Sequence, residues 1–217
     1  MGGGAITIWQ DVRPEAREDF FAWHNGEHML ERVAIPGFLR GRRYGALDGA
    51  PEFFTLYETD GPEVHSSPAY LERLNQPTGQ TRRVAPMMIN NVRSLCRVEW
   101  SQGQVAGGLM VTLRFDGEGG LLPLLHERLP KVLQRPGIVA AHLCVADKSA
   151  SSVKTEEKKA RPTAALVPGW VVLVEGGASR ETLERATDDL LKTKDFVAAG
   201  ATNLQRGVYV LQVSVSK

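Results

Sequence analysis

The residues best suited to chemistry crowd into one stretch, Trp23 to Tyr44, which holds His24, Glu27, His28, Arg42, Arg43 and Tyr44 around a Pro36-Gly37 turn. An imidazole with a reference pKa of about 6.5 both takes and gives a proton near neutrality, so His28 is the natural proton carrier. Arg42 has the planar donor fork that holds a carboxylate or enolate, and Tyr44 has a hydroxyl able to donate to a developing oxyanion. These three are the catalytic candidates. His24, Glu27, Trp9 and His142 are the candidates for ligand contact. Each also has a plain structural reading. A helix-edge histidine can hydrogen-bond in the core, Arg42 can sit in an ion pair, and Tyr44 can be an interface hydroxyl. Glu27 can bridge to Arg42 or Arg43, and Trp9, Trp23, Trp100 and Trp170 can be core or sheet-edge aromatics.

His24-x-x-Glu27-His28 also spells the inverted zinc-protease pattern, two histidines four apart on a helix. Zinc catalysis needs a third protein ligand and an unbroken helix, whereas Gly26 weakens this one and no obvious partner segment follows. No metal is therefore expected. His65 and His126 read as exposed and receive no role.

Those residues need elements to position them. Ala5 to Val12 is β-prone, and Pro14, Glu15, Glu18 and Asp19 then favour a helix start, with Phe20, Trp23, Leu30 and Ala34 on one stripe. Strands are expected at Phe38 to Leu47 and Glu52 to Glu58 around an Asp48-Gly49-Ala50-Pro51 loop. A short helix begins at Ser67, and a strand runs from Asn91 to Trp100. The order β-α-β-β-α-β is the split β-α-β signature.

The second half repeats it. Gly107 to Phe115 reads as a strand, Leu121 to Leu133 as a helix, and Arg135-Pro136-Gly137-Ile138 copies Ile35-Pro36-Gly37-Phe38 at an offset of 136 − 36 = 100. Strands Ile138 to Ala146 and Trp170 to Glu175, helix Glu181 to Leu191 and strand Gly207 to Val215 complete it. Residues 5–102 thus form a first ferredoxin-like repeat with the His/Arg/Tyr motif, and 105–216 a second, degenerate one. Asp147 to Pro168, rich in Ser, Lys, Glu and Pro, has little to bury and is expected to be a mobile insertion.

Such a unit covers one face of its sheet with helices and leaves the other bare. Two bare faces within one chain are expected to close on each other as a pseudo-symmetric α+β barrel, an intramolecular pseudo-dimer. Strand alternation assigns Phe38, Arg40, Arg42 and Tyr44, with Ile138, Ala140, His142 and Cys144, to the space between the sheets, and Ala141 and Leu143 to the helix side.

Bulk properties narrow the function classes. Of 217 residues 26 are basic and 25 acidic, a formal charge of +1, so no global field draws in nucleic acid or an anionic membrane. No apolar run approaches the roughly 18–20 residues of a membrane span, and Met1-Gly-Gly-Gly-Ala-Ile is no secretory signal. The two cysteines, Cys96 and Cys144, lie far apart in expected strands and read as buried thiols, which fits a cytoplasmic setting. There is no P-loop, no G-x-G-x-x-G after a strand and no haem-attachment motif, so no cofactor is expected.

At His24-Asn-Gly-Glu-His28, Glu31-Arg32, Ile35-Pro-Gly-Phe38 and Arg42-Arg43-Tyr44 the sequence resembles the EthD-like branch of the dimeric α/β-barrel superfamily. The resemblance implies a ferredoxin-like fold, a barrel of paired domains and a small-molecule site between sheet and helix. It also marks His28, with relatives acting on small organic acids, lactones and polyketide-like compounds. In the second half Glu127 matches Glu27, but Arg128 stands where His28 would be, so any site belongs to the first half. The leading expectation is a cofactor-independent isomerase, cyclase, lyase or hydrolase of a small oxygenated or anionic compound. The alternatives are a non-catalytic small-ligand or haem-binding barrel and a self-associating structural protein.

Overall fold

The computed structural model describes residues 1–118 and 120–217. Strand β1 (Gly4–Val12) leads into a helical run made of α1 (Arg17–Trp23), a π-helical turn (His24–His28) and α2 (Met29–Ala34). Pro14 opens the 3-10 turn before α1, where its missing N–H leaves no bond unmade, and Glu18 and Asp19 face the positive end of the helix dipole. The run ends at Pro36-Gly37. Gly37 takes φ +86°, and a side chain there would strike Val64, so only glycine fits the turn.

Strands β2 (Phe38–Asp48) and β3 (Phe53–Thr59) come next, then α3 (Pro68–Asn75), capped by Ser67, α4 (Gly79–Val84) and the long β4 (Met88–Gln102). The C-terminal half comprises β5 (Leu109–Asp116), α5 (Leu121–Leu133), β6 (Ile138–Ala146), α6 (Lys148–Ser152) and α7 (Glu156–Lys159). It continues through β7 (Trp170–Gly176), α8 (Arg180–Leu190) and α9 (Thr193–Ala198) to β8 (Thr202–Ser216). Gly137 turns the chain before β6 at φ +82°, much as Gly37 does before β2.

The eight strands form one closed antiparallel barrel in the order β1-β3-β2-β8-β5-β7-β6-β4. The fold is α+β. β4 pairs with β6 and β8 with β2, so the two longest strands, one from each half, close the seams. The lumen is packed with Trp9, Tyr44, Phe54, Leu56, Cys96, Met110, Cys144, Leu173 and Tyr209. Outside, α5, α8 and α9 cover the C-terminal half with Leu125, Leu129, Leu183 and Phe196, while Phe20, Trp23, Tyr57 and Tyr70 lie outside the N-terminal half.

Two alternation rules are locally reset. The π turn adds a residue to the helical run and rotates α2 relative to α1, so Met29 and Val33 are buried while Leu30 is 49% exposed and Ala34 faces solvent, unlike the expected stripe. In β2 a bulge between Phe38 and Arg40 sends Phe38 to the helix side against Tyr57 and Tyr70, and a matching bulge between Ile138 and Ala140 sends Ile138 outward. A single extra residue reverses a period of two.

The 147–168 segment also differs from expectation. It completes the edge of β4 beyond the end of β6: Asp147 N–H donates to Leu95 O, Arg93 N–H to Leu166 O and Leu166 N–H to Asn91 O. Its two short helices lie on the N-terminal half and bury Ser151, Thr155 and Glu157.

Candidate functional site

The pleat of β2 separates the three catalytic candidates. Arg42 and Tyr44 point into the lumen, where Arg42 meets Glu175 and Tyr44 lies 5.7 Å from the Phe54 ring. Arg43 points to the helix side, over Phe20, Phe21 and Phe53. His28 is buried on that helix side with its ring 4.2 Å from Trp23. The sheet therefore stands between His28 and the Arg42/Tyr44 pair, and the three do not converge on one substrate. Alternation along a strand makes this unavoidable for residues two apart whose partner sits on the outer helix.

At one end of the lumen Arg42 makes a bidentate pair with Glu175, Nη1 to Oε2 and Nη2 to Oε1, both 2.7 Å, and also reaches Glu58 at 3.0 Å. Arg40 donates to the same Glu58 oxygen from Nε at 2.9 Å. His142 lies 3.2 Å from Glu175 through Nε2 and 2.8 Å from Ser101 Oγ through Nδ1, and Gly107 N–H donates to Glu175 at 2.9 Å. Burial pushes the Glu175 carboxyl up, but Arg42, His142 and the Gly107 amide outweigh it and hold it far below the usual range. Two guanidiniums face two carboxylates, so this network is charge-balanced and reads as the structural closure of the barrel end. A shallow polar cleft of about 270 Å³ lies over it, lined by Arg40, Gly103, Gln104, His142 and Glu175 among others. Tyr44 Oη and Arg42 Nε lack partners among the described residues, and burial, only partly offset by Arg42, raises the Tyr44 phenol above its ordinary value.

Trp9 lies in the lumen, stacked on Phe54 at 4.8 Å, donating to Thr112 Oγ1 at 3.3 Å and covered by Arg114 at 5.0 Å. It fills the barrel. Glu27 accepts from Thr78 Oγ1 at the cap of α4 and pairs with neither Arg42 nor Arg43. Arg43 is committed to Asn25 Oδ1 at 2.7 Å and Gln212 at 3.1 Å, and its Nη1 lies 3.1 Å from His24 Nδ1. A guanidinium cannot accept a hydrogen bond, so His24 presents its lone pair at Nδ1 and is neutral. Burial first, then the charges of His28 and Arg43, hold its pKa well below 6.5.

Among the described residues His28 Nδ1 is buried without a partner, and so are Arg32 Nη1 and Tyr57 Oη nearby. Burial, then Arg32 and Arg161, push the His28 pKa well below its ordinary value, so the ring is neutral. Around it lie three buried guanidiniums, Arg32 (4% exposed), Arg93 (9%) and Arg161 (side chain 10%), with the more exposed Arg73, paired with Glu31 at 3.2 Å, further out. Arg32 Nη2 pairs with Glu157, and Arg161 reaches the same carboxylate at 3.8 Å while donating to Gln10 at 3.2 Å and Asn91 at 2.5 Å. Arg93 donates to Tyr70 Oη at 2.6 Å. Among the described residues Glu157 is the only carboxylate within 4 Å of any of the three. Burial pushes the Glu157 carboxyl up, but Arg32, Arg161 and Arg93 prevail and hold it below its ordinary value. Burial, then Arg93 and Arg161, bring neighbouring Lys158 down to about 8.

Uncompensated buried charge costs several kcal/mol per ion, so an excess of guanidinium beside unpartnered polar atoms calls for a compensating partner. Tyr57, Tyr70, Arg93, Glu157 and Arg161 carry no sequence motif. Only the alternation of β3 and β4 hinted that Tyr57 and Arg93 share the outer face. His65, expected to be exposed, is buried beside Thr59 Oγ1 at 3.1 Å.

Among the described residues no helix is long and apolar enough to cross a membrane. No protein-family model and no curated protein matches the chain. Solved structures do. An anthrone oxidase-like protein aligns over 98% of this chain and 92% of its own at 10% identity and a TM-score of 0.64. A candidate monooxygenase from Fusobacterium nucleatum aligns over 100% and 95% at 9% identity and 0.61. A candidate chlorite dismutase aligns over 97% and 96% at 12% identity and 0.56. At such identities the likeness is one of architecture, and together with the closed β-barrel and its outer helices it gives this chain the ferredoxin-like α+β barrel fold.

Proposed function

We propose that the chain is a cofactor-independent enzyme acting on a small anionic, oxygenated organic compound, by isomerisation, cyclisation, elimination or hydrolysis. Its site lies between the sheet and the α1–α2 run of the N-terminal half. The single observation that carries this reading is the grouping of three buried guanidiniums, one carboxylate and the unpartnered His28 Nδ1, Arg32 Nη1 and Tyr57 Oη on one face. The arginines would hold the anion, Tyr57 would donate to a developing oxyanion, and His28, neutral at rest, would take the proton.

The same reading treats the chain as two tandem ferredoxin-like repeats of the EthD-like branch, the second serving as structural partner. The paired Gly37 and Gly137 turns support it, as does the C-terminal half, where Arg128 sits near Glu127 and Asp195 at 3.7 Å beside an apolar outer core.

The test is turnover across a panel of small carboxylates, lactones and enolisable acids. His28→Gln is expected to lower turnover by about 10²–10⁴-fold while leaving affinity within a few-fold, the usual contribution of a proton carrier. Turnover unchanged in His28→Gln would remove His28 from the chemistry.

A non-catalytic haem-binding reading is favoured by one feature, the free ring nitrogen of His28. The surroundings fit haem poorly: the ring is packed on Trp23 and faced by Arg32, Arg73, Arg93 and Arg161, which oppose a further cation at the imidazole. Hemin titration is expected to give no His28-dependent Soret shift, and such a shift would favour the haem reading.

A further inference from the structure

Glu157 does not belong to the half whose Arg32 it neutralises. It comes from the segment between β6 and β7, 125 residues from Arg32 in sequence, and crosses to the outer face of the N-terminal half. The ends of that segment are fixed to β4 through Asp147 and Leu166. Its middle is held differently. Val153 is 45% exposed, and the buried side chains between the anchors are Ser151, Thr155 and Glu157. Leu95 N–H donates to Ser151 Oγ at 3.0 Å on one side of it and Arg161 donates to Gln10 and Asn91 on the other, and between them Glu156 N–H donates to Asn75 Oδ1 at 3.3 Å, while Lys158 Nζ bonds only within the segment, to the Ser151 and Val153 carbonyls at 2.7 and 2.6 Å. Its apolar packing is limited to the small side chains of Ala150 and Ala160, so the cover leans on its one buried carboxylate, and any other carboxylate that reaches Arg32 and Arg161 competes with it.

We propose that Arg32, Arg93 and Arg161 form a carboxylate-binding subsite whose resident occupant is Glu157, and that a carboxylate on the incoming small molecule displaces Glu157 and lifts the 154–160 cover, while Arg161 stays anchored to Gln10 and Asn91. The inference rests on the proposed small-molecule site and narrows its ligands to carboxylates. Trp23, Tyr57 and Tyr70 border the same region, so a flat carboxylate suits it. The cover thereby serves as a filter, because a neutral molecule of the same shape cannot replace the charge that holds it down.

The experiment compares benzoate with neutral benzamide at constant ionic strength, on the full chain and on Glu157→Gln. Removing the internal competitor is expected to tighten benzoate binding at least tenfold by calorimetry, with benzamide binding neither protein measurably. In the unmodified chain benzoate is expected to speed hydrogen exchange at the Lys159 and Ala160 amides, which now donate to the Thr155 and Glu156 carbonyls. That second measurement decides the matter even where Glu157→Gln folds poorly. Equal benzoate affinity in the two proteins, no benzoate binding by either, or binding that leaves those amides protected would each overturn the proposal. Benzoate that shifts the His28 ring resonances but leaves the cover closed would keep the small-molecule site and discard the role of Glu157. Displacement of Glu157 with His28 idle in turnover would do the reverse.

Discussion

Arg42→Met is expected to cost about 3–5 kcal/mol of folding stability, the cost of removing one partner from a buried ion pair. Arg42 is 1% exposed and pairs with two carboxylates that are themselves buried, Glu175 and Glu58. Methionine fills much of the same volume but leaves Glu175 with only His142 and the Gly107 amide, and Glu58 with the more exposed Arg40. The penalty thus comes from stranded anions rather than from a cavity. Arg42→Met combined with Glu175→Gln should therefore be less destabilised than Arg42→Met alone, with a non-additivity of roughly 0.5–3 kcal/mol, the range for contacting residues. Urea denaturation at pH 7 measures both. A loss below about 1 kcal/mol for the single variant would place this end of the barrel in contact with water, contrary to its geometry.

The second large effect is acid destabilisation driven by buried histidines. His24, His28 and His65 all have folded pKa values below 6.5, in each case chiefly through burial. Arg43 faces His24, Arg32 and Arg161 face His28, and Arg93 faces His65, opposed there by Asp147. A group whose pKa is depressed in the fold binds fewer protons folded than unfolded, so stability is fully present above pH 6.5 and is lost as pH falls towards the folded value. For His65, brought down to about 4, the loss on acidification amounts to about 3 kcal/mol. With all three titrating only in the unfolded chain, the slope between pH 6 and 5 approaches three protons, about 4 kcal/mol per pH unit. Denaturation midpoints from pH 7.5 to 5 read this directly, and His65→Gln is expected to flatten the slope by one proton. A stability that stays level across that window would mean these rings are protonated in the fold. The carboxylates held low by arginines, Glu157 and Glu175, act in a separate window, losing their contribution as pH falls below the ordinary carboxylate range.

Much of the architecture is legible in the amino-acid order. Binary patterning and the Pro-Gly turns locate every strand to within a few residues, and the helix Leu121–Leu133 falls where its apolar spacing puts it. Alternation places Arg42, Tyr44, His142 and Cys144 in the lumen, because a strand covered on one side and facing a second sheet on the other has a period of two throughout. Local pattern fails where one residue is inserted. The π turn at His24–His28 rotates α2, and the bulges after Phe38 and Ile138 send those side chains outward.

Tertiary structure alone decided which side of the sheet His28 shares and with whom. Arg42 and Tyr44 flank Arg43 in one strand, yet the pleat gives His28 only the Arg43 side. Its cationic neighbours come from α2, α3, β4 and the 147–168 segment, a charged run with the composition of solvated surface. Charge in a run of Lys and Glu carries no record of its partner, because Coulomb attraction is non-directional and acts across any sequence distance once folding brings the groups together. Glu157 is thus buried by the arginines it meets, and no property of its own neighbours in the chain foretells it.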